Sequence, residues 1–331
     1  MIQRLKDLIK VIIGNKIYNI IILQRNYLND YIQFKRHSSI FKLDTFNKNE
    51  SEITLRYHSI EKGFLHKPPR PRFAKKRVED LIILLKEIEL DKNCNRVQIQ
   101  SALLSLCKYY DYHSKISVDI SDYFVKEDYD IYKHLLILEV EPIKSYTKEL
   151  YFQYKNSDFK IFSTSRASVR NFTGEKIDIH LLHKVINLAN HAPSVCNRQP
   201  VNVHLVENKS LIDKILEIQG GLKGYSANLS QLIVLTSDRN FFYSVGERYQ
   251  LYIDGGIYLM NLLYALHFYG IGACPAHWGM PYQADIKMTD LLNLKNSEQI
   301  ISLIAVGVPT NEFNTTLSLR KSSDENLFIH N

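Results

Sequence analysis

Apolar residues recur at three- and four-residue steps over residues 77–88 and 97–113, the spacing that places them on one face of a helix. A polar break, Asp91-Lys92-Asn93-Cys94-Asn95, separates the two stretches. Upstream, Lys67-Pro68-Pro69-Arg70-Pro71-Arg72 forces an extended connection, because each proline fixes φ and disfavours helix in the residue before it. The pattern changes after about residue 160. Residues 179–191 read as a helix, and Val201, Val203 and Leu205 alternate as in a half-buried strand over 200–206. A short apolar strand is expected at 231–236, and a final buried strand at 300–308, stopped by Pro309. Between them, residues 247–269 form a long, nearly all-apolar helix with Gly255 and Gly256 inside it, a sign of close backbone packing. Helices interleaved with a few strands around one apolar helix imply an α+β layer fold. The expected division is a mostly helical region over 1–155 and a second domain over 156–331.

Charge alters this picture at one place. The 331-residue chain has a formal net charge of +7, and residues 1–40 hold seven Lys and Arg against two Asp, so most of the excess lies there. Such an N-terminus fits a solvated helix face or an anionic neighbour, including a membrane surface. The apolar run over 8–23 is broken by Lys10, Asn15, Lys16 and Asn19, and lacks the roughly 20 clean residues of a membrane span. A basic amphipathic helix, packed on the protein or lying on a membrane, is the remaining reading. The early aromatics Tyr18, Tyr27, Tyr31 and Phe34 match no nucleic-acid-binding module, so no nucleic-acid partner is expected. Four widely spaced cysteines give no CxxC pair, hence no zinc pattern, no disulfide framework, and a reducing, cytoplasmic setting.

Four segments carry chemistry. Ser165-Arg166-Ala167-Ser168-Val169-Arg170-Asn171-Phe172 places two guanidinium groups and a hydroxyl within five positions, a set able to grip a phosphate. Ala192-Pro193-Ser194-Val195-Cys196-Asn197-Arg198-Gln199-Pro200 joins helix to strand and can present amide and carboxamide donors to a heteroaromatic ring. Gly270-Ile271-Gly272-Ala273-Cys274-Pro275-Ala276-His277-Trp278-Gly279 lets backbone approach a flat ligand. Arg320 and Lys321 form a basic pair near the C-terminus. Gly220-Gly221-Leu222-Lys223-Gly224 lacks the spacing of a dinucleotide-binding fingerprint.

In this order and spacing the four segments resemble the nitroreductase family of FMN-dependent oxidoreductases, over about residues 163–322. The Pro193-Ser194-x-x-Asn197-x-Gln199-Pro200 match is the most specific of them. The resemblance implies a mixed sheet wrapped by helices around the long central helix, and an intertwined homodimer with FMN at its interface. Arg166 and Ser168 would bind the FMN phosphate, with Arg320 or Lys321 as a second cation. Arg170 would lie at the N1–C2 edge of the flavin. Pro193, Ser194, Asn197 and Gln199 would reach the flavin of the partner subunit. Pro275, Ala276 and His277 would run along the N5 side, with His277 a candidate proton donor. NAD(P)H would be the co-substrate of a ping-pong hydride transfer to a small electrophilic acceptor.

Two departures stand out: little sequence between Val206 and Gln231 is available for helices over the substrate, and His277-Trp278 replaces the small residue often found there. Cys196 and Cys274 are expected to be packing residues. Upstream, Tyr57-His58-Ser59-Ile60-Glu61-Lys62-Gly63 and Arg70-Pro71-Arg72-Phe73 resemble the leader of nitroreductase-like proteins associated with bacterial surface-polysaccharide gene clusters. His58 and Glu61 would share a helix face as a local ion pair, not a metal site. The enzymatic alternative is a flavin-dependent dehydrogenase or oxidase acting on a polysaccharide or peptide intermediate. The non-catalytic one is a flavin-binding scaffold in envelope polysaccharide assembly.

Overall fold

A computed structural model describes residues 14–66, 68–222 and 224–330. Arg4, Lys6 and Lys10 of the basic N-terminus, the apolar run up to residue 13, Lys67 of the proline segment and Lys223 lie outside the described residues. Two compact units are present. One runs up to Lys144 and takes the chain back from Thr316, and the other is Ser145–Thr315. The expected boundary at 155/156 thus falls inside the second unit. The reason is packing: Tyr151 and Phe152, on a helical turn over Lys148–Phe152, are buried in the core of the sheet-containing unit.

In the helical unit, helix α1 spans Asn15–His37, α2 Phe46–Gly63, α3 Lys75–Glu87, α4 Val97–Lys115 and α5 Lys126–Leu135. Ile53, Tyr57 and Ile60 of α2 meet Val78, Leu81 and Leu85 of α3 and Ile99, Leu103 and Leu106 of α4 in one core. These residues hold the three- and four-residue spacing that the sequence displays. The proline segment is non-helical, and the chain after it passes through left-handed conformations at Arg72 (φ 56°) and Ala74 (φ 53°). Buried His113 holds this turn: its Nε2 accepts from the Arg72 amide at 2.8 Å, and burial lowers its pKa. His58 Nδ1 lies 3.1 Å from Glu61 Oε2, the local pair expected of that spacing. Glu50, also buried, accepts from Arg96 Nε at 2.6 Å and pairs with Lys321 of the returning tail.

The sheet-containing unit has helices α6 (Phe159–Ser165), α7 (Ile179–Ala189), α8 (Lys209–Gln219), α9 (Gln250–Phe268) and α10 (Tyr282–Leu292). Its strands are β2 (Val201–Val206), β3 (Gln231–Asp238), β4 (Gly272–His277) and β5 (Glu298–Gly307), in the order β2-β3-β5-β4. The chain enters and leaves along a ribbon of β1 (Ile143–Thr147) and β6 (Glu312–Thr316). Side chains alternate across a strand, so β3 sends Ile233 and Leu235 to one face and Leu232 and Val234 to the other. The first face packs on Leu182 and Val185 of α7 and Tyr258, Leu262 and Leu266 of α9. The second packs on Ile212, Ile215 and Leu216 of α8 and Met288 of α10. The α+β class is as expected. The sheet differs from expectation in one respect: every strand pair within it is antiparallel. The stretch between Val206 and Gln231 supplies α8, which is committed to the sheet face.

Helix α9 explains the paired glycines. A Cβ on Gly255 would lie 2.7 Å from Ile301 of β5, so the helix backbone approaches the sheet there; Gly256 faces open space. On that outer side Tyr252, Ile253, Ile257 and Met260 are exposed, an apolar stripe at helical spacing.

Candidate functional site

The segment after α6 is extended and anchored at alternate residues. Tyr151 Oη donates to the Ala167 carbonyl at 2.6 Å, and the Val169 amide donates to the Ala273 carbonyl at 3.0 Å. Ala167 packs against the core and Val169 is fully buried, and an extended chain sends alternate side chains to opposite sides. Arg166, Ser168 and Arg170 therefore share the other side. This segment also lies beside β4, so the first and third chemistry-bearing stretches of the sequence come together.

Arg166 Nε and Nη1 are buried with no hydrogen-bond acceptor. Buried polar groups are nearly always paired, and an uncompensated buried cation is unfavourable. Next to it, His267 in the last turn of α9 is buried, with Nε2 2.9 Å from Ser165 Oγ and Nδ1 without a partner. Burial first, then the charges of Arg166 and Lys155, push its pKa down to about 4, so this imidazole is neutral near pH 7. Arg170 is also buried, with Nη1 3.4 Å from the Ser168 carbonyl. A pair of arginines with a hydroxyl, one arginine short of acceptors, fits an anionic group with several oxygens.

Strand β4 is an edge strand, so half of its main-chain groups point away from the sheet. The Ala273 carbonyl, taken by Val169, fixes which half: Ala273, Pro275 and His277 face outward, whereas the Ala276 carbonyl accepts from Ser302 Oγ of β5. Pro275 has no N–H. Of the three positions expected to line a ring, only His277 thus has an outward amide, and its carbonyl is occupied by Gln219 Nε2 at 2.9 Å. The His277 side chain is exposed and its ring lies over Gly279. Trp278 fills the core, with Nε1 donating to Asp285 Oδ1 at 2.8 Å.

The Pro193–Gln199 loop stands on a strained turn. Cys196, Asn197 and Gln199 have φ of 49°, 55° and 51°, left-handed values that bulkier side chains rarely adopt. Ser194 Oγ accepts from the Gln199 amide at 3.0 Å, and Arg198 is gripped by both oxygens of Glu247 at 3.1 and 2.7 Å. Asp254, buried in α9, accepts from the Val195 amide at 3.3 Å and from Gln250 Nε2 at 2.8 Å. A cavity of about 190 Å³ opens here, lined by Asn190, Ala192, Pro193, Ser194, Asp254 and Tyr258. Cys274 is buried, as expected of a packing residue; Cys196 is exposed on this turn, which corrects the expectation for it. Sequence reasoning missed Asp254, although it is the one acidic residue in the apolar run of α9.

Of the basic tail pair, Lys321 belongs to the helical unit and is engaged by Glu50, whose carboxyl is pulled below its usual range because Arg96 and Lys321 outweigh the upward push of burial. One of the two residues expected as a second phosphate cation, Lys321, is thus already paired with a carboxylate. Arg320 bonds the Ser318 carbonyl within the same tail. Among the described residues no group of three or more His, Cys, Asp and Glu could hold a metal, and no helix is long and apolar enough to cross a membrane.

An antiparallel sheet sandwiched between helices, with an acceptor-poor arginine beside its edge strand, defines an α+β protein with an unmet hydrogen-bonding demand at that edge. The Nitroreductase family model matches residues 164–223, which holds the arginine segment and the Pro193–Gln199 loop. An iodotyrosine deiodinase from Hydra vulgaris is 24% identical over 232 residues, covering 62% of this chain and 80% of the relative. A nitroreductase-like protein from Streptococcus mutans matches at 22% identity and a TM-score of 0.45, over 53% of this chain and 98% of that one. A Staphylococcus epidermidis structure described as an NAD(P)H:FMN oxidoreductase matches at 18% identity and a TM-score of 0.47, over 53% and 96%.

Proposed function

We propose that the protein is an FMN-dependent oxidoreductase of nitroreductase type, a homodimer that passes hydride equivalents by a ping-pong route from NAD(P)H to a small electrophilic acceptor. The observation that carries this reading is Arg166, whose buried nitrogens lack acceptors inside the segment that matches the family. Arg166 and Ser168 would hold the phosphate, and Arg170 would lie at the N1–C2 edge of the ring. When bound, FMN supplies reversible two-electron hydride exchange. The His277 amide, outward on β4, would donate toward the N5 side, where Pro275 and Ala276 also run, and the exposed imidazole of His277 would deliver a proton to the acceptor. Gly220 caps the end of α8 in a left-handed turn, so this glycine stretch serves a helix end and NAD(P)H would be taken up transiently at the flavin site.

A homodimer would reconcile the length of α9 with a site built from both segments. Asp254, which holds the Pro193–Gln199 loop, and His267, beside Arg166, are separated by roughly 20 Å of helix. Within one copy, the loop and the arginine segment are thus held at opposite ends of α9. A second copy seated on the exposed stripe of Tyr252, Ile253, Ile257 and Met260 would let Pro193, Ser194, Asn197 and Gln199 serve the partner's flavin. The deciding experiment is the visible spectrum of the purified protein, followed anaerobically after NADPH is added. Bands near ~450 nm that bleach are expected. A colourless protein that takes up no FMN would overturn the reading. Nitroaromatic, quinone and iodotyrosine acceptors should then be compared.

A further inference from the structure

Helix α1 has no buried residue, yet it is not polar. At 100° per residue, Ile17, Ile20, Ile21, Tyr27, Leu28, Tyr31, Ile32 and Phe34 fall on one broad face. Every one of them is exposed, Leu28 to 58% and Phe34 to 64%. What burial the helix has runs along a different line, Tyr18, Ile22, Asn26 and Asp30, at four-residue steps. The outer face continues past the helix through exposed Ile40, Phe41 and Leu43. Lys16, Arg25, Lys35 and Arg36 are all exposed, against a single acid, Asp30, on the helix.

We propose that α1 lies in the plane of an anionic lipid surface, with this face among the acyl chains and its cations among the headgroups. The placement of the charges selects lipid over a second copy of the helix. Lys35 lies five turns below Ile17, at the same azimuth, and Gln24 lies two turns below it. A helix partner would bury both in its seam, at the cost of an unpaired ammonium. At a lipid interface the Lys35 stem lies along the apolar face and its charge reaches water, while Tyr27 and Tyr31 suit the headgroup boundary. The wide apolar face flanked by cations is that of a helix lying on a membrane rather than spanning one. This inference is independent of flavin binding.

The test is flotation of the full chain with vesicles of phosphatidylglycerol and phosphatidylcholine, or of phosphatidylcholine alone, at about 0.1 M and about 0.5 M salt. Binding to the anionic vesicles is expected, weakened by salt and much lower on the neutral ones. Leu28→Asp with Ile32→Asp should lower the partition roughly tenfold or more, and Arg25→Gln with Arg36→Gln several-fold. These positions are exposed, so an unchanged melting curve checks the fold. Absence of flotation, equal flotation of the double Asp variant, or equal binding to neutral vesicles would each overturn the proposal. So would a double Asp variant that sediments as a smaller species with vesicle binding unchanged, which would give the face to a second copy.

Discussion

Two regions of the molecule, the Glu50 cluster and the Arg166 segment, hold buried charged groups in opposite ways. In the helical unit Glu50 is met by Arg96 and Lys321, and buried Glu61 by His58. In the sheet-containing unit Arg166 keeps two buried nitrogens with no acceptor, and the imidazole beside it has given up its proton. A closed set of partners marks charge that serves the fold. An open one leaves hydrogen-bonding demand that a ligand could meet, and under the proposed function that ligand is the FMN phosphate.

The largest effect should come from the open site. Arg166→Met keeps the apolar stem and removes the charge. Loss of two charge-assisted hydrogen bonds should weaken FMN binding roughly 100-fold in a fluorescence titration. The ligand-free protein should melt no lower than the parent. A variant that melts far lower with unchanged FMN affinity would place Arg166 with the structural charges.

His267 offers a pH test of the same contrast. Its imidazole takes up a proton near pH 6.5 in the unfolded chain but only near 4 in the folded one. Between those values the unfolded state holds more protons, so stability is intact above 6.5 and declines as pH falls toward 4. The full decline should approach about 3 kcal/mol and vanish in His267→Asn, measured by urea unfolding across pH. Bound FMN would cancel the repulsion from Arg166, raise the folded-state pKa and shrink the slope; an identical slope with and without FMN would separate the two residues.

Glu50→Gln should behave in the opposite manner to Arg166→Met. It should cost about 2 kcal/mol in urea unfolding, below the usual value for breaking a buried pair because both cations are partly exposed. FMN affinity should stay within roughly twofold. The smallest effect is expected at Asp254. Asp254→Ala frees the Val195 amide and should speed FMN dissociation several-fold, about 1 kcal/mol, with Asp254→Asn closer to the parent.

The long periodic elements were readable from the chain. Helix α9 and strands β3 and β5 fall within a few residues of their expected bounds, because each buries at least one face continuously. Strand β4 reads in the sequence as a glycine-rich approach segment, since Gly272, Pro275 and Ala276 lack strand-forming side chains and the pairing with β5 supplies its order. Helix α5 was hidden by its charges: of Lys126–Leu135 only Tyr132 is buried. At the candidate site, local spacing singles out Arg166, Ser168 and Arg170, which lie in one extended stretch. It gave no warning that Lys321 would be claimed by Glu50, a partnership across the length of the chain. Nor did it reveal Asp254, whose function depends on a loop far away in sequence.

The return of the tail to the helical unit has a temporal meaning. As the chain leaves the ribosome, α2, α3 and α4 emerge early, but Lys321 and Glu325, which face Glu50 and Arg96, follow only after the whole of Ser145–Thr315 has been made. Glu50 must therefore wait, half-compensated by Arg96, while the sheet is completed. Of the two units, the one begun earlier is finished later, so a stop codon shortly before Lys321 would injure the helical unit.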